Sequence, residues 1–96
     1  MKPTPELIDR LYRTALKYLE QNRLPKTGVA YFFRERIFGW SRALDQPSKV
    51  RPGVIALELE TGQLWIATKA DNHANAKEWT HTGSRHVPET NHKPKI

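Results

Sequence analysis

Five cations, Arg34, Arg36, Arg42, Lys49 and Arg51, are interleaved with Phe32, Phe33, Phe38 and Trp40 in one stretch of the chain. Cations neutralise phosphates or carboxylates, and flat rings stack on bases or cover apolar groups, so the mixture suits an anionic partner. An acidic protein surface and a single-stranded nucleic acid both satisfy it. The paired aromatic motifs of RNA-recognition domains, a Gly-x-x-Gly loop with helical flanks and a helix-turn-helix pattern are all missing. In a plainer arrangement the rings fill the core and the arginines are solvated. With Trp65 from a second apolar run, the expected contact set is Arg34, Arg36, Trp40, Arg42, Lys49, Arg51 and Trp65.

Catalytic chemistry has weaker support. His73, His81, His86 and His92 have neither a His-Glu-x-x-His pattern nor a cysteine to complete a zinc site, so ordinary exposed histidines are expected and no metal. A metal-independent ribonuclease needs an acid and a base flanking a phosphate and a cation for the developing charge. Glu58 or Glu35 with His81 or His86 and Arg85 supply the residue types, but nearly any basic chain of this size does. No Gly-rich phosphate loop, dinucleotide fingerprint or Gly-x-Ser-x-Gly elbow is present, so no cofactor is expected. Without cysteine, thiolate metal sites, disulfides and Cys nucleophiles are excluded.

Ninety-six residues suffice for one domain with one modest core. Sixteen Lys and Arg against ten Asp and Glu give a net charge of +6. Residues 29–53 carry five basic and two acidic groups, whereas 54–80 carry two and four, so the positive excess avoids residues 54–80 and the hairpin they hold. Such asymmetry steers an anionic partner to one region. No apolar run approaches the roughly 20 residues of a membrane span, and the start lacks a signal core, so a cytoplasmic location is expected.

The elements that must position these residues follow from periodicity. Thr4-Pro5-Glu6 reads as a helix start, with Thr4 as N-cap and Pro5 at the first helical position. A broad apolar stripe from Leu7 to Leu19 then runs at helical spacing, and Asn22 to Pro25 ends it. Val29 to Leu44 divides. Phe33, Ile37, Trp40 and Leu44 have the spacing of a helical seam, but the aromatic run and the mid-segment Gly39 favour a hairpin bent at Arg34-Glu35-Arg36. We take the hairpin.

Asp45 to Gly53 reads as a proline-bounded loop, and Gly53 to Lys69 as a second hairpin. With Thr61-Gly62 alone as its loop, Leu59 would oppose Leu64 and Leu57 would oppose Ile66; a three-residue loop would instead mix Leu57 with Trp65. A short helix capped by Asp71 or Asn72 is expected through Ala74, Ala76, Lys77 and Trp79, followed by a flexible basic tail.

The expected architecture is therefore α+β: an N-terminal helix on a small antiparallel meander of about four strands, a short second helix, and a C-terminal tail. Residues 1–80 form the domain and 81–96 the tail. The sheet face away from the helix would carry Val54, Ala56, Trp65 and Ala67 with several aromatics, a surface too large to stay bare on a monomer. A homodimer through that face or through a sheet edge would cover it. The expected function is a small non-catalytic interaction or regulatory module that meets an anionic surface through its Arg and aromatic region. Single-stranded RNA or DNA binding is the alternative, and a small ribonuclease stands behind both.

Overall fold

The computed structural model describes residues 3–70 and 75–84. Helix α1, Pro5–Gln21, starts where the sequence places it: Thr4 is extended and its hydroxyl accepts from the Leu7 amide at 3.1 Å. Ile8, Leu11, Ala15 and Leu19 form its buried stripe. At the other end Leu24 N–H reaches the Leu19 carbonyl at 2.9 Å and Arg23 N–H reaches Glu20 at 3.3 Å, with Arg23 at φ 56°. These are the paired bonds of a Schellman cap, and Leu24 packs back on the core beneath it.

Five antiparallel strands follow: β1 Val29–Phe33, β2 Arg36–Ser41, β3 Ile55–Glu58, β4 Gln63–Ala70 and β5 Ala76–Ser84. Their spatial order is β2-β1-β3-β4-β5, so β3 is central and β2 and β5 are edges. The α+β expectation holds, and two of its details change. Among the described residues there are five strands rather than four. The second helix is replaced by a single 3-10 turn at Pro47–Lys49, because Ala76, Lys77 and Trp79 belong to β5; Asp71, Asn72 and Ala74 lie outside the described residues. Strand β5 runs on through Ser84, past the position where the tail was expected to begin, and residues 85–96 lie outside the described set.

The β1–β2 hairpin turns on Arg34 and Glu35 alone, both at positive φ (53° and 69°), the backbone of a type I′ turn. Between Tyr31 and Phe32 the register shifts: Tyr31 faces Gly39 and Phe32 faces Ile37, which leaves Phe38 as a bulge residue. The bulge explains the helical spacing seen in the sequence. Three residues apart in a regular strand, Ile37 and Trp40 would lie on opposite faces; across the bulge both pack against the helix-side core. Phe38 is turned to the other side, near the Tyr31 ring at 6.3 Å between centroids.

The β3–β4 hairpin corrects the expected register by two residues. Leu57 faces Leu64 and Ile55 faces Ile66, with Leu59 to Gly62 as the loop. Gly62, at φ 78°, returns its N–H to the Glu58 carbonyl at 2.8 Å. Leu59 leaves the ladder because its N–H bonds Gly28 at the start of β1, at 2.9 Å, while its side chain is buried under α1. A two-residue shift keeps every side chain on its own face, so the alternation that predicted the hairpin survives it.

One sheet face, built from Ala30, Phe32, Leu57 and Leu64, is sealed by the α1 stripe. The opposite face, with Val29, Tyr31, Val54, Ala56, Ala67 and Ala76, is also buried. What covers it is residues 42–53, the connection from edge strand β2 to inner strand β3, which crosses the sheet as a strap. The face expected to need a covering partner is thus covered by the chain itself.

Candidate binding site

The strap is tied down at named points. The Tyr31 hydroxyl lies 2.7 Å from Ser41 Oγ and accepts the Asp45 amide at 2.9 Å. On β5, Trp79 Nε1–H donates to the Asp45 carbonyl at 2.7 Å and Ala76 N–H to the Val50 carbonyl at 2.8 Å. Gly53 N–H then reaches Ala67 at 2.9 Å, and the chain enters β3. Leu44 and Val50 pack on the sheet between these ties. Burial holds the Tyr31 phenol above the ordinary tyrosine range, helped by the nearby Asp45 carboxylate and opposed by the bonds to Ser41 and the Asp45 amide.

Where the strap returns toward β3 it leaves a cleft of about 550 Å³ against the β1–β2 hairpin. Phe33 and Phe38 form its hairpin side, Lys49, Val50 and Arg51 its strap side, and Arg36, Val54 and Asn75 complete the lining. Val54 is buried and forms the base, whereas Arg36, Lys49 and Arg51 are exposed at the rim. Phe38 is 53% exposed, the one large apolar side chain so placed among the described residues. The guanidinium carbons of Arg34 and Arg51 sit 5.2 and 4.9 Å from the Phe33 ring centre, cation–π distances that hold both side chains toward the cleft. Among the described residues no acidic side chain lines this cleft.

The expected contact set is therefore divided by the fold. Arg36, Lys49 and Arg51 are brought together, with Arg34 beside them. Arg42 lies in a separate groove of about 210 Å³ with Glu58 and Glu60. Trp40 faces the helix-side core and donates its indole N–H to the Thr27 carbonyl at 2.8 Å. Trp65 packs on the strap-side cluster with its ring edge-on to His81, 5.1 Å between centroids. Neither tryptophan lines the cleft. Phe33 and Phe38 were visible as members of the aromatic run; strand alternation separates Phe33 from Phe32, the bulge re-aims Phe38, Val54 was expected on this face of the sheet, and Val50 carried no signal.

The acid and base residues considered for ribonuclease chemistry are in different contacts. Glu35 pairs with Arg10 at 2.6 Å, Glu58 accepts from the Thr61 hydroxyl at 3.1 Å, and His81 bonds Gln63. His86 and Arg85 lie outside the described residues. Among the described residues no three His, Asp or Glu side chains converge on a possible metal position, and no helix is long and apolar enough to cross a membrane. Compared with known proteins, the chain matches no family model, no curated protein and no solved structure.

Proposed function

We propose that this chain is a small non-catalytic binding module that docks an acidic surface of a partner protein on the cleft between the strap and the β1–β2 hairpin. One observation carries this: Arg36, Lys49 and Arg51 border a single cleft that also holds two phenylalanine rings and, among the described residues, no acid. Cations grouped around an apolar surface attract carboxylates and steer their approach. Arg10 and Arg13 are paired with Glu35 and Asp9, and Lys69 with Glu78, whereas Arg36, Lys49 and Arg51 share one cleft with two aromatic rings.

Single-stranded nucleic acid is the second reading, and the exposed Phe38 ring beside the cations is what favours it. Fluorescence anisotropy with labelled poly-glutamate and labelled oligodeoxythymidine tests both. The native protein is expected to bind poly-glutamate with an affinity that weakens as salt rises. The variant carrying Arg36→Glu, Lys49→Glu and Arg51→Glu is expected to lose that binding while keeping its circular dichroism. Equal binding by both proteins would overturn the proposal. Tighter binding of oligodeoxythymidine, with a steep salt slope, transfers the cleft to nucleic acid.

A further inference from the structure

We infer that the cleft receives one large apolar side chain from an acidic segment of the partner, seated on Phe33, Phe38 and Val54 while flanking carboxylates meet Arg36, Lys49 and Arg51. This rests on the proposal above that the cleft binds an acidic protein surface, and it specifies how. Charge attraction alone needs no concavity. Yet the cations here border an open hollow of about 550 Å³ whose lining includes Phe33, Phe38 and the buried Val54, room for one side chain to seat.

Phe38 is the decisive residue. It is more than half exposed, and the register shift opposite Tyr31 and Phe32 assigns it to no partner position on β1. Bulges re-aim side chains, and this one presents a ring to the opening of a cationic cleft instead of to the core. An apolar anchor in a pocket, ringed by polar contacts, is the usual anatomy of an energetic centre in a protein interface.

The extent of the positive surface favours a peptide over a polynucleotide. A nucleic acid strand needs cations along a continuous track. Here Arg42, the next basic residue of the same stretch, sits in another groove with Glu58 and Glu60, and those carboxylates would repel a passing phosphate chain. A short acidic segment needs only the one patch.

The test is an array of short acidic peptides that differ only in their central residue, probed with the labelled full chain. Binding is expected to concentrate on peptides with Phe, Trp or Leu at the centre, about tenfold or more over Ser, the factor that burying such a side chain supplies. The Phe38→Ser variant, changed at an exposed site, should lose most of that preference while retaining the weaker, salt-sensitive binding. Equal binding regardless of central residue would overturn the anchor and leave the acidic-surface proposal standing. If no acidic peptide binds, or if oligodeoxythymidine displaces the bound peptides and binds more tightly itself, both fall.

Discussion

The two faces of the sheet are closed by different means. On one, a helix lays large aliphatic side chains over Phe32, Leu57 and Leu64, all fully buried, and the seal is a regular hydrophobic stripe. On the other, the sheet side chains include Ala56, Ala67 and Ala76, and the cover is an irregular strap held by Tyr31, Trp79 and two backbone bonds. Small residues beneath let the strap's backbone approach closely. Regular packing covers a face without remainder, whereas a strap of fixed length crossing a twisted sheet leaves an end open. The cleft is that open end.

This contrast predicts that the helix face carries most of the stability. Leu57→Ala, at a fully buried position between Leu64 and α1, should cost about 3–5 kcal/mol from lost transfer energy and the cavity left behind. Chemical denaturation would measure it. A loss below about 1 kcal/mol would mean that the two faces share the load more evenly than their side chains indicate.

Sequence patterns are legible in proportion to how regularly each face is built. The cap at Thr4, the α1 stripe and the alternation in β3 and β4 are local features whose period equals that of the structure they form, and all three appear where expected. The β1–β2 hairpin was recoverable only by preferring aromatic content over spacing, because the bulge at Phe38 gives Ile37 and Trp40 the spacing of a helix. Strand β5 was missed for a related reason. As an edge strand with Ala76 buried, Trp79 partly so and most of its other residues exposed, it lacks the alternation that marks a half-buried strand. In the cleft, the cations and rings were evident from composition. Which of them meet was decided by the strap, whose path depends on long-range bonds such as Trp79 to Asp45 that no local pattern encodes.

Tyr31→Phe probes the strap face at one hydroxyl. The change removes the acceptor for the Asp45 amide and the partner of Ser41 Oγ, and should cost about 1–2 kcal/mol. Amide exchange should rise across residues 42–53 more than in α1, which separates loosening of the strap from global destabilisation. The pH dependence has a definite sign. Since burial raises the Tyr31 pKa in the folded state, the folded chain holds that proton more tightly than the unfolded one. The contribution of the neutral phenol is fully present below the ordinary tyrosine value of about 10 and is lost as pH climbs through the raised value. The native protein should therefore lose stability in alkali more steeply than Tyr31→Phe, and the variant should lack the phenolate absorbance that the native protein develops above the ordinary tyrosine value.

The smallest effect belongs to the turn that joins the strands beside the cleft. Arg34 and Glu35 both occupy the left-handed region, at φ 53° and 69°, where a residue with a Cβ is disfavoured by about 1 kcal/mol or more. Asn-Gly is the pair that a type I′ turn prefers. Replacing Arg34 by Asn and Glu35 by Gly relieves the backbone but sacrifices the Arg10–Glu35 pair, whose partners are 62% and 53% exposed and hence largely screened by water. A net gain of about 0.5–1 kcal/mol is expected in the urea midpoint. The same variant removes the Arg34 guanidinium beside Phe33, so affinity for poly-glutamate should fall severalfold while stability rises. Opposite signs in one variant would show that charge at the cleft mouth is retained at the expense of a better turn. If both quantities rose, Arg34 would have no part in binding, and the cationic rim would reduce to Arg36, Lys49 and Arg51.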